Sequence, residues 1–331
     1  RQATMSGPAI LVIGGAGYIG SHMVMDLLRA GYPTVILDNL SRGHRELLPG
    51  GDFVNGDMGK PEDLRKIFAE HPIKAVMHFA AHSLVGESVE QPLAYYRNNV
   101  ANTITLLEEM ERASIHHFIF SSTAAVYGEP VRTPITEEHP CAPTNPYGAT
   151  KLAVERLLAD VSHANSMTFS ILRYFNAAGA DHSGKIGERH QPETHLIPLV
   201  LQVATGERES IKIFGDDYPT PDGTCLRDYV HVSDLTRAHL LALQHLLAGG
   251  GNTTFNLGNS TGYSVRQIID TAREITGHAI PAETVARRAG DPAILIADSG
   301  KIRQELGWQP AYEDVGEIIR SAWAWHQQEA G

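Results

Sequence analysis

Tyr147 and Lys151 stand four residues apart in the run Asn145-Pro146-Tyr147-Gly148-Ala149-Thr150-Lys151. On a helix, that spacing puts both side chains on one face. Asn145 and Pro146 suit an N-cap and a first helical turn. A tyrosine with its ordinary pKa of about 10 is a poor base at neutral pH. A neighbouring ammonium favours the phenolate, so Lys151 is expected to bring Tyr147 down. Thr123 closes the run Ser121-Ser122-Thr123 and is placed to orient or relay a proton. A hydroxyl, a tyrosine and a lysine beside an oxidised nicotinamide are what alcohol oxidation needs. The tyrosine takes the O–H proton as the hydride leaves carbon. Tyr-x-x-x-Lys alone occurs on many amphipathic helices, so the reading rests on what precedes it in the chain.

What precedes it is Gly14-Gly15-Ala16-Gly17-Tyr18-Ile19-Gly20, set between an apolar run and a helically spaced one. Gly14 permits a tight turn, Gly17 lets the backbone approach a pyrophosphate, and Gly20 lets the helix pack closely on the strand. The helix N-terminus adds unpaired N–H groups and a partial positive charge for phosphates. Asp38 closes the next strand. A carboxylate there accepts from the adenosine ribose and repels a 2′-phosphate, which favours NAD over NADP. Arg42 is the nearby cation that argues the other way. A bound, positively charged nicotinamide would lower Tyr147 further.

The elements that must position these residues alternate regularly. Strands are expected at Ala9–Ile13, Thr34–Leu37, Phe53–Val54, Lys74–Phe79, His117–Phe120 and Thr168–Leu172, and helices at Tyr18–Ala30, Pro61–Glu70, Leu93–Ala113 and Pro146–His163. Strands spaced by helices imply βαβ units and a parallel sheet. After Asn176 the rhythm breaks. A Gly-, His- and polar-rich stretch is followed by helices at His195–Thr205, Ser233–Leu247, Tyr263–Gly277 and Tyr312–Gln327, with a strand at Ser210–Phe214. The expected fold class is α/β: a Rossmann-type doubly wound parallel sheet with a smaller α+β C-terminal substrate domain. The NAD-binding domain is expected over 7–176, completed by parts of 227–258, and the substrate domain over 177–331.

Composition excludes several classes. The 331 residues carry 27 Lys+Arg against 38 Asp+Glu, a net charge of −11. Such a chain lacks the basic footprint that nucleic acid or an anionic membrane surface requires. Cys141 and Cys225 form no CxxC pair, so neither a disulfide framework nor a zinc knuckle is expected. Two idle thiols fit a reducing cytoplasm. The apolar run Ala9–Ile13 is too short for a membrane span or a leader core. His190 and His195 lie five apart with no HExxH-like spacing, so the 17 histidines read as solvated or packed and no metal is expected.

With these residues in hand, the chain resembles the UDP-glucose (UDP-galactose) 4-epimerases of the extended short-chain dehydrogenase/reductase family, from about Ile10 to the last helix. The resemblance is carried by GGAGYIGSH (Gly14–His22), LDNL (Leu37–Leu40), HFAA (His78–Ala81), VGES (Val85–Ser88), YYRNNV (Tyr95–Val100), FIFSSTAAVYG (Phe118–Gly128) and YGATK (Tyr147–Lys151). In the second half it is carried by RYFNAAG (Arg173–Gly179), FGDDYPTPDGT (Phe214–Thr224), RDYVHV (Arg227–Val232) and RRAGD (Arg287–Asp291). These last four separate the 4-epimerases from the wider superfamily.

The resemblance implies roles. Tyr147 is the base, Lys151 holds the nicotinamide ribose and tunes it, and Thr123 bonds the sugar 4-hydroxyl. Gly14, Gly17, Tyr18, Ile19, Gly20, Asp38, Asn39, Asp57, Met58, Phe79, Ala80, Ala81 and Asn98 line NAD, with Tyr174 or Phe175 near its nicotinamide end. Asn176, His195, Leu196, Arg227, Arg288 and Asp291 hold UDP. Fork-shaped arginine donors suit a pyrophosphate. Leu295 lies near the sugar's 2-substituent and is intermediate between the large residue of strict glucose/galactose enzymes and the small one of N-acetyl-tolerant ones. Ser83 replaces a lysine of some members, and His195 an asparagine. The implied reaction is reversible C4 epimerisation through a 4-keto sugar, in a cytoplasmic homodimer joined through Leu93–Ala113 and Pro146–His163. UDP-N-acetylhexosamines and UDP-pentoses remain alternative substrates. A 4,6-dehydratase is excluded because Ala124-Ala125 follow Thr123 where an acid pair is needed. A non-catalytic NAD sensor would not need the Tyr147/Lys151 pair.

Overall fold

The computed structural model describes residues 7–331. They form two compact units, one through Gly128 with Pro140–Arg173 and Thr236–Phe255, the other of Glu129–His139, Tyr174–Leu235 and Asn256–Gly331.

The first unit is built on strands β1 (Ala9–Ile13), β2 (Thr34–Asp38), β3 (Asp52–Asn55), β4 (Ile73–His78), β5 (His117–Thr123) and β6 (Thr168–Tyr174). Across the seven-stranded sheet the order is Thr253–Leu257, β6, β5, β4, β1, β2, β3. The pairs β1–β2, β1–β4, β2–β3 and β4–β5 run parallel. Helices cover both faces, which is why β1 reads as an unbroken apolar run and is buried along its whole length. The chain winds outward from β1 through β2 to β3, then returns to start β4 on the other side of β1. That reversal opens a crevice beyond the carboxyl ends of β1 and β4, where ligands bind in sheets of this kind.

The helix expected over Leu93–Ala113 is three pieces: Pro92–Tyr96, a π turn at Arg97–Ala101, and Asn102–Arg112. The wide turn lets buried Asn99 face inward. Its amide donates to His82 O and Thr150 Oγ1, both at 3.1 Å, and its Oδ1 accepts from His82 N at 3.0 Å. Apolar periodicity carries no sign of such an interruption.

In the second unit, Leu226–His231 is flanked by Gly262–Ser264 and Ile294–Leu295, and also pairs with Asn176–Ala178. Helices Leu196–Ala204, Val265–Thr276 and Val315–Ala330 bury their apolar faces in a separate core that includes Ile197, Ile268 and Ile318. The helix Val265–Thr276 starts at a capping box of Ser264 and Gln267, a device worth about 1 kcal/mol. Asp228 is this unit's buried hub, accepting from Asn259 N, Ser260 N and Ala297 N at 2.7–3.1 Å.

Candidate active site

The glycine turn departs from the end of β1, and each of its glycines has a separate steric reason. Gly14 sits at φ +78°, and a Cβ there would lie 2.7 Å from Ala80 N. A Cβ on Gly20 would overlap the Gly14 carbonyl. At Gly17 it would meet only Gly14 O, at 3.4 Å, so the space above the first helical turn stays open. Gly17 caps the helix Tyr18–Arg29 with no side-chain hydrogen bond, and no acidic residue stands in the first turn. The amides of Tyr18, Ile19 and Gly20 begin a helix whose first turn carries no acidic residue of its own.

Asp38 stands at the end of β2. Its Oδ2 accepts from Ala16 N at 3.0 Å and its Oδ1 from Leu40 N at 2.8 Å. The carboxylate therefore ties the glycine turn to the neighbouring strand end and keeps lone pairs for a ribose. Arg42 donates to Glu87 Oε1 at 2.7 Å. The cation that could have welcomed a 2′-phosphate is engaged elsewhere, which strengthens the case for NAD. Asn39 is exposed and accepts from Ser41 N. The open first turn, the helix start without acidic residues and the placed carboxylate all fit a dinucleotide.

Beyond β4, Phe79 N donates to Ile13 O at 2.8 Å and Ala80 N to His78 Nδ1 at 3.2 Å. His78 is buried, and burial with the charge of Lys151 depresses it to about 3. It is neutral, and because Nδ1 accepts, Nε2 donates to Thr103 Oγ1 at 3.0 Å. This fixes the segment carrying Phe79, Ala80 and Ala81 against the glycine turn. Asp57 accepts from Gly59 N, and Met58 is 4% exposed, its side chain taken into the core. Asn98 donates to Asn99 Oδ1.

The chemical pair lies beyond β5. Asn145 Oδ1 caps the helix Pro146–Ala164 by accepting from Gly148 N at 2.9 Å. Gly148 has no room for a Cβ against Ala125 O, so the helix start sits tightly on the turn after Thr123. The Tyr147 phenol lies near the Thr123 side chain, which favours its charged form. Lys151 is buried, donates from Nζ to Ser121 O at 2.7 Å and stands 4.8 Å from the Phe120 ring centre. Burial raises the Tyr147 phenol above its ordinary range, with the Thr123 side chain opposing it. Burial also draws Lys151 down to about 7, with Glu155 opposing. The expectation that Lys151 brings Tyr147 down is thus corrected. Desolvation dominates in the absence of a bound nucleotide.

Behind the pair lies a network that the sequence reading missed. Glu155, one turn after Lys151, accepts from Ser122 Oγ at 2.6 Å and from Arg173 Nη2 at 2.6 Å. Arg173 also donates to Tyr127 OH at 2.9 Å. The signal was available: Lys151 and Glu155 share one helix face at i, i+4 spacing.

In the second unit, Arg227 and Leu295 lie directly opposite each other on paired strands. Arg227 Nη1 donates to Leu226 O and Pro292 O, both at 2.9 Å. Arg288 pairs with Asp291 at 3.0 Å and stacks 4.5 Å from the Phe214 ring centre. Arg227, Arg288, Asp291 and Leu295 therefore come together around one strand end. Asn176 pairs with Tyr229 further along the same sheet. His195 precedes the helix Leu196–Ala204, but its ring turns to Glu188 and Glu193 at 2.8 and 2.9 Å. Tyr174 is buried at the end of β6, and Ser83 is exposed.

Residues 10–258 match the NAD dependent epimerase/dehydratase family. The chain is 54% identical over 320 residues to the UDP-glucose 4-epimerase of Halalkalibacterium halodurans, covering 97% of this chain and 96% of that one. Its fold is similar to a solved UDP-glucose 4-epimerase at TM-score 0.96 and 55% identity, covering 98% of each chain. It is also similar to the Brucella ovis UDP-glucose 4-epimerase solved with NAD, at TM-score 0.94 and 48% identity over 96% of this chain and 98% of that one.

Proposed function

The chain belongs to the NAD dependent epimerase/dehydratase family, and from that premise we propose how its residues divide the work. The reaction is reversible inversion at C4 of UDP-glucose and UDP-galactose with NAD as cofactor. Gly14, Gly17, Tyr18 and Ile19 cradle the pyrophosphate of NAD, and Asp38 and Asn39 its adenosine ribose. Phe79, Ala80, Ala81, Asn98 and Tyr174 border it, and Lys151 holds the nicotinamide ribose. Bound NAD supplies the acceptor, and then the donor, for the hydrogen on C4. Tyr147 takes the C4 hydroxyl proton while Thr123 aligns that hydroxyl. The 4-keto sugar turns about its pyrophosphate so that the opposite face of C4 would take the hydrogen back, and Tyr147 returns the proton to the C4 oxygen. Asn176, Leu196, Arg227, Arg288 and Asp291 hold UDP, so the sugar alone is free to turn; His195, expected among them, has its ring turned to Glu188 and Glu193.

The observation that carries this reading is buried Lys151, bonded from Nζ to Ser121 O at 2.7 Å one helical turn after Tyr147, whose phenol is within reach of the Thr123 side chain. Leu295, opposite Arg227 on the paired strand, is the gate at the sugar's 2-substituent, with a size intermediate between those of strict glucose/galactose enzymes and N-acetyl-tolerant ones. Exposed Val89, Leu93, Tyr96 and Ile104, with Leu93 at 85%, support a homodimer built on this stretch. No helix among the described residues is long and apolar enough to cross a membrane, and the two free cysteines suit a cytoplasmic setting.

The test is a mixture of UDP-galactose and UDP-N-acetylgalactosamine with no added NAD, resolved by NMR. Conversion of UDP-galactose alone is expected, and conversion of both would remove Leu295 as the gate. Tyr147→Phe is expected to stop conversion by at least about 100-fold while UDP still binds. Turnover near the wild-type rate would refute the base assignment.

A further inference from the structure

Four side chains apart from the Tyr147 site converge in the loop ahead of the helix Leu196–Ala204. Glu188, His190, Glu193 and His195 each offer one ligating atom, and these atoms all lie within 4.8 Å of one another. His195 Nδ1 faces Glu188 Oε1 at 2.8 Å and Glu193 Oε1 at 2.9 Å. His190 Nδ1 faces Glu188 Oε1 at 3.0 Å and Glu193 Oε2 at 3.6 Å. An imidazole carries at most one proton on Nδ1, so each ring faces more carboxylate oxygens than it has hydrogens to give.

The Glu188 and Glu193 side chains are 7% and 6% exposed, whereas the His190 and His195 rings are 32% and 50% exposed, so the carboxylates are buried and the imidazoles reach solvent. A divalent ion would take the place of the protons that the two imidazoles share with the carboxylates.

We propose that Glu188, His190, Glu193 and His195 form a structural site for a divalent transition metal, with zinc the ion best suited. Two imidazole nitrogens and two carboxylate oxygens are donors that zinc takes in four-coordinate tetrahedral sites. Bonds of about 2.0–2.2 Å set such ligand atoms about 3.3–3.6 Å apart, between the 2.8 Å and 4.8 Å that bracket them at present. Calcium and magnesium ask for six or more oxygens, and thiolate is lacking, so copper(I) and iron–sulfur chemistry fit poorly. All four positions are filled by the chain, which is the pattern of a structural rather than a catalytic metal.

The surrounding fold holds the ligands ready. Trp325 Nε1 donates to Glu188 O at 3.0 Å, and Arg189 grips Glu329 through two hydrogen bonds of 2.5 and 2.7 Å. Gly187 lies flat against the Trp325 ring, with no room for a Cβ. The ligand loop is thus docked on the helix Val315–Ala330, and the metal would lock its free edge. The sequence reading passed over the site because E-x-H-x-x-E-x-H follows neither helical spacing nor a common zinc pattern.

The experiment treats full-length protein with chelator, adds ZnCl2, desalts it, and reads metal content by mass spectrometry and the unfolding midpoint by calorimetry. One zinc per chain and a midpoint several degrees higher are expected. Glu193→Gln and His190→Asn should each lose the retained ion and the shift, while His116→Asn, which removes an exposed histidine elsewhere, keeps both. Should a ligand variant fail to fold, cobalt(II) loaded into unaltered protein reports the site, through the intense visible absorption of a four-coordinate centre. Absence of retained zinc in unaltered protein, full retention in both folded ligand variants, or a weak octahedral cobalt spectrum would each overturn the proposal. None of these readouts depends on turnover.

Discussion

Lys151 gives the sharpest quantitative test, because its site makes the fold less stable than a neutral side chain would. The ammonium is buried and held down to about 7 against an ordinary value of 10.5. Moving a lysine that far corresponds to about 5 kcal/mol between its protonation states. The sign follows from proton counts. Between pH 7 and 10.5 the unfolded chain binds the proton and the folded chain does not, so stability rises with pH there. The cost is fully present below pH 7 and gone above 10.5. Lys151→Met keeps most of the stem and removes the charge. It forfeits the bond to Ser121 O, worth about 1 kcal/mol.

Nucleotide-free Lys151→Met should therefore be more stable than the parent by about 3–4 kcal/mol at pH 6. The gap should narrow by about 2 kcal/mol between pH 7 and pH 9. Equilibrium urea unfolding followed by far-ultraviolet circular dichroism at pH 6, 7, 8 and 9 measures it. A gap that is independent of pH, or a variant less stable at pH 6 than at pH 9 relative to the parent, would refute the claim that Lys151 is a desolvated cation. The same variant should lose turnover by at least about 100-fold, so stability and activity move in opposite directions.

The glycine turn predicts a contrast between neighbours. Gly17→Ala should unfold at the midpoint of the nucleotide-free parent yet fail to retain NAD, whereas Gly20→Ala, whose Cβ overlaps Gly14 O, should lose stability outright; calorimetry with and without NAD separates them, and equal behaviour would contradict the assigned reasons. Glu155→Ala should destabilise by about 3–5 kcal/mol by stranding the Arg173 charge, and Glu155→Met with Arg173→Met should recover most of that. Urea midpoints decide, and a double variant no better than the single one would count against a buried, uncompensated charge.

What could be read from the sequence was set by steric and local rules. Gly14 and Gly20 are forced by backbone approach within a few residues, so the turn and the helix after it stand where expected. The Asn145 cap and Pro146 start likewise depend on neighbours alone, and the structure confirms the cap bond to Gly148 N. What could not be read depends on distant partners. The strand Thr253–Leu257 joins β6 through contacts such as Asn252 Oδ1 with Phe169 N and Ser170 with Thr253, 83 positions away. The π turn in the helix around Asn99 answers to His82 and Thr150. The Glu188–His195 cluster is shaped by Trp325 and Glu329.

The error over Tyr147 is of a different kind, and it bears on how the site works. Spacing shows that Lys151 is near Tyr147, but not that both are dry. Once buried, the lysine is drawn down to about 7 and the phenol is pushed upward. With Tyr147 as the proposed base, an oxidised nicotinamide held beside it would add a positive charge that favours the phenolate, and the neutral reduced ring would not. Burial would then tie the protonation of Tyr147 to the state of the ring. An exposed Tyr/Lys pair at the same spacing would be a stronger base at rest and would lack that coupling. The few kcal/mol of stability forgone at Lys151 are what the linkage costs.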